Sequence, residues 1–367
     1  MIRVLHYGMS PNLGGIETYL LNLARTADPD RFHFDFLYTD LAQLPVFASE
    51  LPDSKFYGVT PRRVSPRRNR QDLDRLFADE QFDILHFHAN TASYVAPVKA
   101  AIRHEIPVIC HSHSSGASRS RLTRLLHRWH RATLPWNRIS RVAVSVEAGR
   151  WMFGEPASFE VIPNGIDSEE FMFQPEARDT VRASWGAAPG SLVVGQVGAF
   201  LPAKNHTFTL EVFAQVQRHR TDAILVLVGD GPERPAIRQR VDALGLTQSV
   251  RFLGRRTDVA AVMAGMDLLV MPSLHEGFGL VALEAQASGL PCLLSDAIPP
   301  EVVVSSTCRQ LPLAAPAQAW AEQLVASAGV DRALGLEIVR ASGYSVEANA
   351  AAIASIYRLL VNSSDCR

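Results

Sequence analysis

The feature that most constrains this sequence of 367 residues is a regular alternation of short apolar runs with longer segments of helical periodicity. Strands that alternate with helices predict βαβ units and a parallel sheet covered on both faces. In the first half, such runs lie at 2–5, 32–37, 82–86, 108–110, 142–145 and 160–163. The sequence therefore predicts an α/β fold with a doubly wound parallel sheet in this half.

The alternation begins again after a break, which predicts a second sheet of the same kind. Residues 163–167 have turn chemistry, and the polar segment that continues to about residue 189 is interpreted as the domain linker. Five further apolar runs follow, at 192–197, 224–228, 250–254, 268–272 and 291–294. We predict an N-terminal domain of residues 1–167, a C-terminal domain of residues 168–344, and a final helical segment, residues 345–367, that packs on either domain and could return to the first.

The overall charge argues against a general nucleic-acid binder, because the formal net charge is −1. The arginines are nevertheless concentrated in two groups that contain no acidic residue. The first group is Arg62, Arg63, Arg67, Arg68 and Arg70, and the second is Arg119, Arg121, Arg124, Arg128 and Arg131. Two interpretations stay open: solvated faces, or a surface that meets anionic lipid head groups or a phosphate-bearing acceptor.

The sequence indicates neither export nor insertion into a membrane. The start of the chain is interrupted by charge too early for a signal peptide, and no run of about 18 apolar residues is present to cross a bilayer. The four cysteines, Cys110, Cys292, Cys308 and Cys366, have neither the spacing of a zinc site nor that of a disulfide framework. We expect a cytoplasmic protein, at most peripheral at the inner face of a membrane, with Cys110 and Cys292 in the core.

The segment 273–280, between an apolar run and a helical pattern, is the strongest candidate for a ligand site. Open parallel sheets bind ligands at the carboxyl ends of their strands. Gly277 and Gly279 let the backbone approach a ligand, and the start of the helix offers N–H groups to a phosphate. Glu276 and, two helical turns later, Glu284 suit sugar hydroxyls better than phosphate. The alternative is a surface loop with Glu284 in solvent.

The loops after the first strand of each half are weaker candidates. After the first strand of the second half, Gly198 is followed by Lys204, which can neutralise a diphosphate and stabilise the charge on a leaving nucleotide. Taken alone, a lysine in a loop is better explained by surface solvation. In the first half, Gly14-Gly15 resembles a phosphate-approach turn. It does not match the G-x-G-x-x-G pattern, which disfavours a nicotinamide enzyme.

Four histidines, His86, His88, His111 and His113, stand at the ends of two neighbouring predicted strands. Alternate residues of a strand point the same way, so each H-x-H pair has both rings on one face. No third metal ligand is evident in the sequence, so a histidine that hydrogen-bonds the substrate is preferred to a zinc site. The string Asp28-Pro29-Asp30 resembles a metal-binding D-x-D and is interpreted as a turn.

Together these segments resemble the glycosyltransferases of family 4, which are retaining enzymes with the GT-B fold of two facing Rossmann-like domains and a cleft between them. The motifs follow one another along nearly the whole chain: Gly14-Gly15, residues 162–167, Val197-Gly198 with Lys204-Asn205, residues 228–231, residues 252–254, and the E-x7-E pair Glu276 and Glu284. The stretches 111–114 and 284–287 are most similar to enzymes of exopolysaccharide or capsule assembly.

The resemblance implies that a sugar passes with retention from a nucleotide-diphosphate sugar, a UDP-sugar, to a glycan or lipid-diphosphate-linked acceptor held by the first domain. The implied catalytic residues are His113, Lys204 and Glu276. The implied donor-binding residues are Gly15, Gly198, Lys204, Arg255, Glu276, Gly277, Phe278, Gly279, Leu280 and Glu284. Glu276 would hold hydroxyls of the donor sugar, Lys204 the diphosphate and Glu284 the ribose. The resemblance implies no metal and no other cofactor.

Ala199 departs from the family pattern, which has an arginine at this place ahead of the lysine. Loss of a cation beside the leaving diphosphate would weaken stabilisation of the transition state by roughly a few kcal/mol. A non-catalytic scaffold or partner protein of the same fold therefore stays an alternative, as does a nucleotide-sugar epimerase or phosphorylase of similar shape.

Overall fold

The structure is a computed structural model and describes residues 1–9, 14–39, 41–116 and 120–364. The chain divides into two compact units: Met1–Gly165 with the C-terminal segment from Val346 forms the first, and Ile166–Ser345 forms the second. The division lies two residues before the expected boundary at 167, and the final segment belongs to the first unit.

The first unit is built on a seven-stranded parallel sheet with strand order β3-β2-β1-β4-β5-β6-β7. Its strands are β1 (Ile2–Tyr7), β2 (Phe32–Tyr38), β3 (Phe56–Gly58), β4 (Ile84–Ala89), β5 (Val108–Ser112), β6 (Ile139–Ala143) and β7 (Glu160–Val161). Its helices before the division are α1 (Gly15–Thr26), α2 (Pro66–Asp79), α3 (Ala96–Arg103), α4 (Arg121–Thr133) and α5 (Val146–Phe153). Every residue of β4 and β5 is buried, as expected of central parallel strands covered on both faces.

The second unit repeats this architecture with a six-stranded parallel sheet of order β10-β9-β8-β11-β12-β13. Its strands are β8 (Val193–Val197), β9 (Ile224–Val228), β10 (Val250–Gly254), β11 (Leu268–Met271), β12 (Cys292–Ser295) and β13 (Cys308–Leu311). Its helices are α6 (Pro175–Trp185), α7 (His206–His219), α8 (Arg234–Ala243), α9 (Val259–Gly265), α10 (Leu280–Ala287), α11 (Ala317–Ala326) and α12 (Gly335–Ala341). In each sheet the strand order reverses at the first strand of the unit, which is where open α/β sheets bind ligands.

The last helix, α13 (Val346–Ser364), packs on the first unit. Its Ile353 and Tyr357 are buried in the core of that unit. The Tyr357 hydroxyl lies 2.7 Å from His86 Nδ1, and Asn349 Nδ2 donates to the carbonyl of Pro163 at 2.7 Å. Both contacts fix the last helix to the first unit.

Two strands are missing from the sequence-based prediction, and several others have bounds that differ by one to three residues. β3 and β13 are edge strands, one only three residues long and the other with Arg309 and Gln310 in its middle. Neither forms an apolar run. The run at 82–86 belongs to β4, which continues to Ala89. The predicted run ended too early because His86 and His88 are polar, although both are buried. The run at 142–145 ends early because Ser145 caps α5 by accepting from Ala148 N at 3.2 Å.

The linker predicted between residues 167 and 189 is wrong, because this segment contains α6 and belongs to the second unit. α6 packs against α9 and buries Arg182 and Trp185. Only one narrow side of the helix faces the core, and one of its buried residues is an arginine. The polar composition therefore conceals the helical pattern that a larger buried face would show.

Asp267, at the start of β11, anchors α6 to the sheet. Its Oδ1 pairs with Arg178 Nη2 at 2.5 Å, and its Oδ2 accepts from Arg182 Nη1 at 3.0 Å and from Val193 N at 2.8 Å. Arg182 is buried, so it depends on this carboxylate for compensation of its charge.

Asp267→Asn is therefore expected to lower the free energy of unfolding of the second unit by about 2 kcal/mol, since the two arginines lose the negative charge that compensates them. Urea titration followed by circular dichroism measures the change. The control is Asp222→Asn, whose pair with Arg220 is exposed and screened by solvent, so its loss should change the stability much less. Equal effects of the two substitutions would refute the anchoring role.

Smaller sequence expectations concern single residues. Cys110 and Cys292 are buried as expected, and Cys308 is buried too, whereas Cys366 lies outside the described residues. The stretch 28–30 is a turn, with Asp30 N donating to Asp28 Oδ1 at 3.0 Å. No helix within the described part of the chain has the length and apolar character to span a bilayer.

Candidate functional site

The loops that follow β8 and β11 meet at the carboxyl edge of the second sheet. The two strands are parallel neighbours, with Leu268 beside Val194, so the segments that leave them lie side by side. The amide of Leu274 donates to the carbonyl of Ala203 at 2.7 Å and joins the two loops. This is the edge at which the sequence predicts the donor site.

Lys204 and Glu276 form an ion pair across these loops. Lys204 Nζ lies 2.5 Å from Glu276 Oε1, which also accepts from Ser273 Oγ at 2.8 Å. Gln196 Nε2 donates to the main-chain carbonyl of Lys204 at 2.7 Å and holds the lysine loop against β8. Only 22% of the lysine side chain and 12% of the glutamate side chain are exposed. The lysine is therefore a fixed cation at the strand edge, and the alternative of a solvated lysine is excluded.

Glycines let the loops at this edge pack backbone against backbone. Gly198 has a φ of +154°, and a Cβ there would lie 3.3 Å from Lys204 Cε. A Cβ on Gly229, after β9, would lie 2.1 Å from the carbonyl oxygen of Gly198. A side chain at Gly229 would therefore push the two loops apart, and one at Gly198 would press on the Lys204 side chain in a backbone conformation that favours glycine.

Gly277, Phe278, Gly279 and Leu280 form the turn into α10. Gly279 is the N-cap with a φ of +100°, a conformation that favours glycine, and Leu280 begins the helix. Phe278 is buried and contacts Tyr344 edge-on, with ring centroids 5.2 Å apart. The turn thus directs the positive end of the α10 dipole toward the edge that holds Lys204.

Glu284 lies on α10 and is half-buried. Burial, together with the nearby carboxylate of Glu170, raises the pKa of Glu284 to about 7, although Lys204 opposes the shift. Glu284 therefore lies partly enclosed on a helix of this edge rather than in a fully solvated loop.

The segment around Ala199 has a second cation nearby that the sequence analysis missed. Phe200 N donates to the carbonyl of Asp230 at 3.0 Å, so the loop after β9 rests on the loop that contains Ala199. That loop leads into Arg234, whose guanidinium lies 3.6 Å from Asp230 Oδ1. Arg255 is exposed directly after β10, on the same edge.

Gly15 lies in the first unit, where it begins α1. Within the described residues, nothing lies within 4 Å of a Cβ built at this position. The local fold therefore does not itself require glycine there. Residues 10–13 of the same loop lie outside the described residues. The approach of this loop to a diphosphate stays a prediction.

His113 belongs to a layer of five histidines on one face of the first sheet. The histidine layer consists of His6, His86, His88, His111 and His113. The rings of each H-x-H pair lie on one face as predicted, with centroids 4.0 Å and 4.2 Å apart. His6 was not predicted as a site residue, because it stands alone in β1 and joins the layer only through its register position beside His86.

Hydrogen bonds connect three histidines of this layer in a row. His113 Nε2 lies 2.9 Å from His88 Nδ1, and His88 Nε2 lies 3.0 Å from His6 Nδ1. At the two ends, His113 Nδ1 and His6 Nε2 have no hydrogen-bond partner among the described residues. His113 is half-buried at the strand end, but its Nδ1 atom is itself enclosed.

All five histidines are uncharged at neutral pH. Burial lowers the pKa of His6 and of His113 to about 3. Burial, reinforced by the neighbouring imidazoles, holds the pKa values of His86, His88 and His111 well below the usual range. A neutral imidazole can donate and accept hydrogen bonds, but it adds no positive charge to the site.

The layer also offers the third metal ligand that the sequence did not reveal. In His6, His86 and His88, and again in His88, His111 and His113, one nitrogen of each ring lies within 4.8 Å of the others. Several of these nitrogens are already in hydrogen bonds between the rings. Independence from metal therefore stays a prediction.

The predicted site residues fall on both units. Lys204, Glu276 and Glu284 come together at the edge of the second sheet with the α10 turn and Gly198. His113 and Gly15 belong to the first unit.

Two family profiles together match most of the chain. The family described as Glycosyltransferase Family 4 matches residues 13–170, and that described as Glycosyl transferases group 1 matches residues 191–328. EpsF of Bacillus subtilis (strain 168) is 32% identical, over 97% of this chain and 96% of its own length. The UDP-Gal:alpha-D-GlcNAc-diphosphoundecaprenol alpha-1,3-galactosyltransferase of Escherichia coli is 24% identical, over 80% of this chain and 79% of its own.

Solved structures share the fold over the full length. HepE of Anabaena, in complex with UDP and glucose, has a TM-score of 0.78 at 20% identity, over 97% of this chain and 99% of its own. Sucrose-phosphate synthase from Thermosynechococcus elongatus has a TM-score of 0.79 at 21% identity, over 99% of this chain and 100% of its own.

Two Rossmann-like units of this topology define the class of GT-B glycosyltransferases. EpsF matches almost the whole chain at 32% identity, and each of the two family profiles covers most of one unit. The chain belongs to glycosyltransferase family 4.

Proposed function

We propose that the protein is a retaining glycosyltransferase that moves a hexose from a nucleotide-diphosphate sugar, a UDP-sugar, to a glycan or lipid-diphosphate-linked acceptor of cell-surface polysaccharide. The observation that carries the proposal is the ion pair of Lys204 with Glu276 beside the start of α10. A fixed cation and a helix N-terminus suit a diphosphate, and the neighbouring carboxyl groups suit sugar hydroxyls.

In this proposal the ammonium group of Lys204 also contacts the bound diphosphate. Its ion pair with Glu276 then weakens, and a Glu276 oxygen can accept from hydroxyls of the donor sugar. Glu284 accepts from the ribose, and His113 hydrogen-bonds the sugar near the reacting carbon. The bond from the anomeric carbon to the diphosphate breaks with its electron pair on the phosphate oxygen. The acceptor oxygen attacks the same face of the sugar, and its proton passes to that phosphate oxygen.

Lys204 and the α10 dipole are proposed to stabilise the charge that grows on the departing diphosphate. Because these groups supply the positive charge, the mechanism is proposed to need no metal ion and no other cofactor. The names of relatives support the choice of substrates: HepE was solved with UDP, and the E. coli relative is named for a UDP-galactose donor and a diphosphoundecaprenol-linked acceptor. A location in the cytoplasm, at the inner face of the membrane, fits such an acceptor.

Ala199 favours a second candidate, a non-catalytic scaffold with the same fold. The alanine leaves its loop without the family arginine beside the diphosphate. Arg234 argues against this candidate, because it brings a cation to the adjoining loop.

A thermal-shift panel of UDP, GDP, ADP and their sugar conjugates, without metal, tests the proposal. At about 100 times its Kd, a bound nucleotide adds about 2.7 kcal/mol and raises the Tm by about 5–10 °C. We expect uridine nucleotides to stabilise the wild type and Glu284→Ala to lose most of the shift. Glu322→Ala, which removes an exposed carboxylate on α11, is the matched control and should keep it.

The alternatives give different results in the same panel. A shift with another base would correct the donor but keep the site. A full shift in Glu284→Ala would place the nucleotide elsewhere. If nothing shifts at millimolar ligand, the donor site is disabled and the scaffold becomes the better explanation.

A further inference from the structure

The inner face of α4 is fixed to the first unit by two buried histidines. His127 Nδ1 accepts from the amide of Ala92 at 3.0 Å, and His130 Nδ1 lies 2.6 Å from the carbonyl oxygen of the same residue. His127 Nε2 lies 3.2 Å from the carbonyl oxygen of Trp151. These contacts fix the rotation of the helix, and therefore also which residues it presents to solvent.

The outer face of α4 is a stripe of large apolar side chains. Leu122 and Leu125 are 64% exposed and Trp129 is 54% exposed. Their spacing of three and four residues puts them on one side of the helix. Single exposed apolar residues are ordinary, but three in one stripe on one helix indicate a contact surface.

The same helix is strongly basic. Arg121, Arg124 and Arg128 are exposed beside the apolar stripe, each one position before a stripe residue. No aspartate or glutamate occurs between Glu105 and Glu147. Lys99 of α3 adds a further cation, with its Nζ 5.1 Å from the centre of the Trp129 ring. Arg119, in the same arginine group, lies outside the described residues.

A cavity of about 570 Å³ in the first unit adjoins this stripe. Leu122 and Leu126 of α4 form part of its wall. Its other lining residues include Tyr7, Tyr38, Tyr94, Arg62 and Arg63. The cavity therefore combines aromatic faces that suit sugars, arginines that suit phosphate, and an apolar border that is continuous with the stripe.

We propose that α4 docks the protein on an anionic bilayer. Leu122, Leu125 and Trp129 enter the boundary between head groups and acyl chains, and the arginines contact lipid phosphates. A second copy of this chain fits the surface poorly, because it would bring the same arginines against each other. The docked helix places the cavity at the level of the head groups. In that position the cavity would receive the diphosphate and first sugar of a lipid-linked acceptor. This last step rests on the proposed function, whereas the docking does not.

Sedimentation of the full-length protein with vesicles tests the docking directly. One set of vesicles is phosphatidylcholine with about a third phosphatidylglycerol, and the other is phosphatidylcholine alone. We expect binding to the anionic vesicles that weakens with salt, and a blue shift of tryptophan fluorescence that Trp129→Phe largely removes. Leu125→Glu with Trp129→Glu should reduce partitioning at least tenfold, and so should the combination of Arg121→Glu, Arg124→Glu and Arg128→Glu.

The matched control is Leu359→Glu, which changes a residue of α13 that is 69% exposed in the same unit. This variant should bind as the wild type does. Circular dichroism checks that every variant is folded. The proposal is overturned if the wild type ignores anionic vesicles, if the α4 variants bind them unchanged, or if the stripe instead mediates a dimer that the same substitutions dissociate. The assay needs no turnover or nucleotide, so failure of the proposed reaction would leave its result unaffected.

Discussion

Lowering the pH from 7.5 to 5 is expected to unfold the first unit while the second stays folded. The five histidines of the layer have pKa values far below 6.5, the ordinary histidine value, because burial disfavours their charged form. In the unfolded chain they take up protons below pH 6.5, and in the folded unit they do not. Their contribution to stability is therefore complete above pH 6.5 and is lost as the pH falls toward the folded pKa values.

The size of this effect follows from the linkage of protonation to folding. At pH 5, about 1.5 pH units below the ordinary value, each histidine that stays neutral costs about 2 kcal/mol. With several such groups in one layer, the total cost becomes comparable to the whole stability of a typical domain.

In the second unit, two buried groups have opposite effects over the same range. Burial lowers the pKa of His206 to about 4, which destabilises the unit in acid. The pKa of Glu284, raised to about 7, has the opposite consequence: stability is lost as the pH rises through 7 and regained as it falls. Because the two effects roughly cancel, we expect little net change in this unit.

Hydrogen exchange measured by mass spectrometry between pH 7.5 and 4.5 separates the two units, with rates corrected for the intrinsic effect of pH. His111→Asn keeps a nitrogen near the position of Nδ1 and removes one titrating group, so it should move the acid midpoint of the first unit downward. His219→Gln, at an exposed position of α7, should leave it unchanged. Protection of the first sheet that persists at pH 5 in the wild type would contradict the prediction.

The two sheets were predictable because their central strands are buried on both faces and contain short apolar runs that a sequence displays directly. The elements that the sequence did not reveal are those in which polar or charged residues occupy buried or central positions. β13 is an edge strand with polar residues in its middle, and α6 buries an arginine, whose role becomes visible only when Asp267 is brought to it by the fold.

The site was predictable to the level of loops but not of contacts. Parallel strands end at one edge of their sheet, so the sequence predicts that Lys204 and Glu276 lie at the same edge. Their ion pair depends on loop conformations that Gly198 and Gly279 permit, and no sequence pattern specifies these. The histidine layer was hidden for the same reason. His6 is a single polar residue in an apolar strand, and only the register of β1 with β4 shows that it lies beside His86.

Lys204→Met is expected to lower the kcat for sugar transfer by about 10²–10³, if the proposed reaction is correct. The substitution keeps most of the apolar stem and removes the ammonium group, which is the cation fixed at the sheet edge by Glu276. Loss of one preorganised group that stabilises developing charge typically has an effect of this size. Lys204 is also the only lysine of the second unit, so no other lysine there can take its place.

Steady-state kinetics with a saturating donor measure this loss. Because the charge on the diphosphate grows in the transition state, kcat and kcat/KM should fall by similar factors. Arg240→Met, which removes an exposed cation of α8 that lies near Glu211, is the matched control and should retain full activity. A lysine variant that turns over as fast as the wild type would show that another group, for example Arg234, stabilises the leaving diphosphate.

Glu276→Gln separates the two members of the pair. If they act as one unit, adding it to Lys204→Met should cost much less than its effect alone, because each substitution already disrupts the same arrangement.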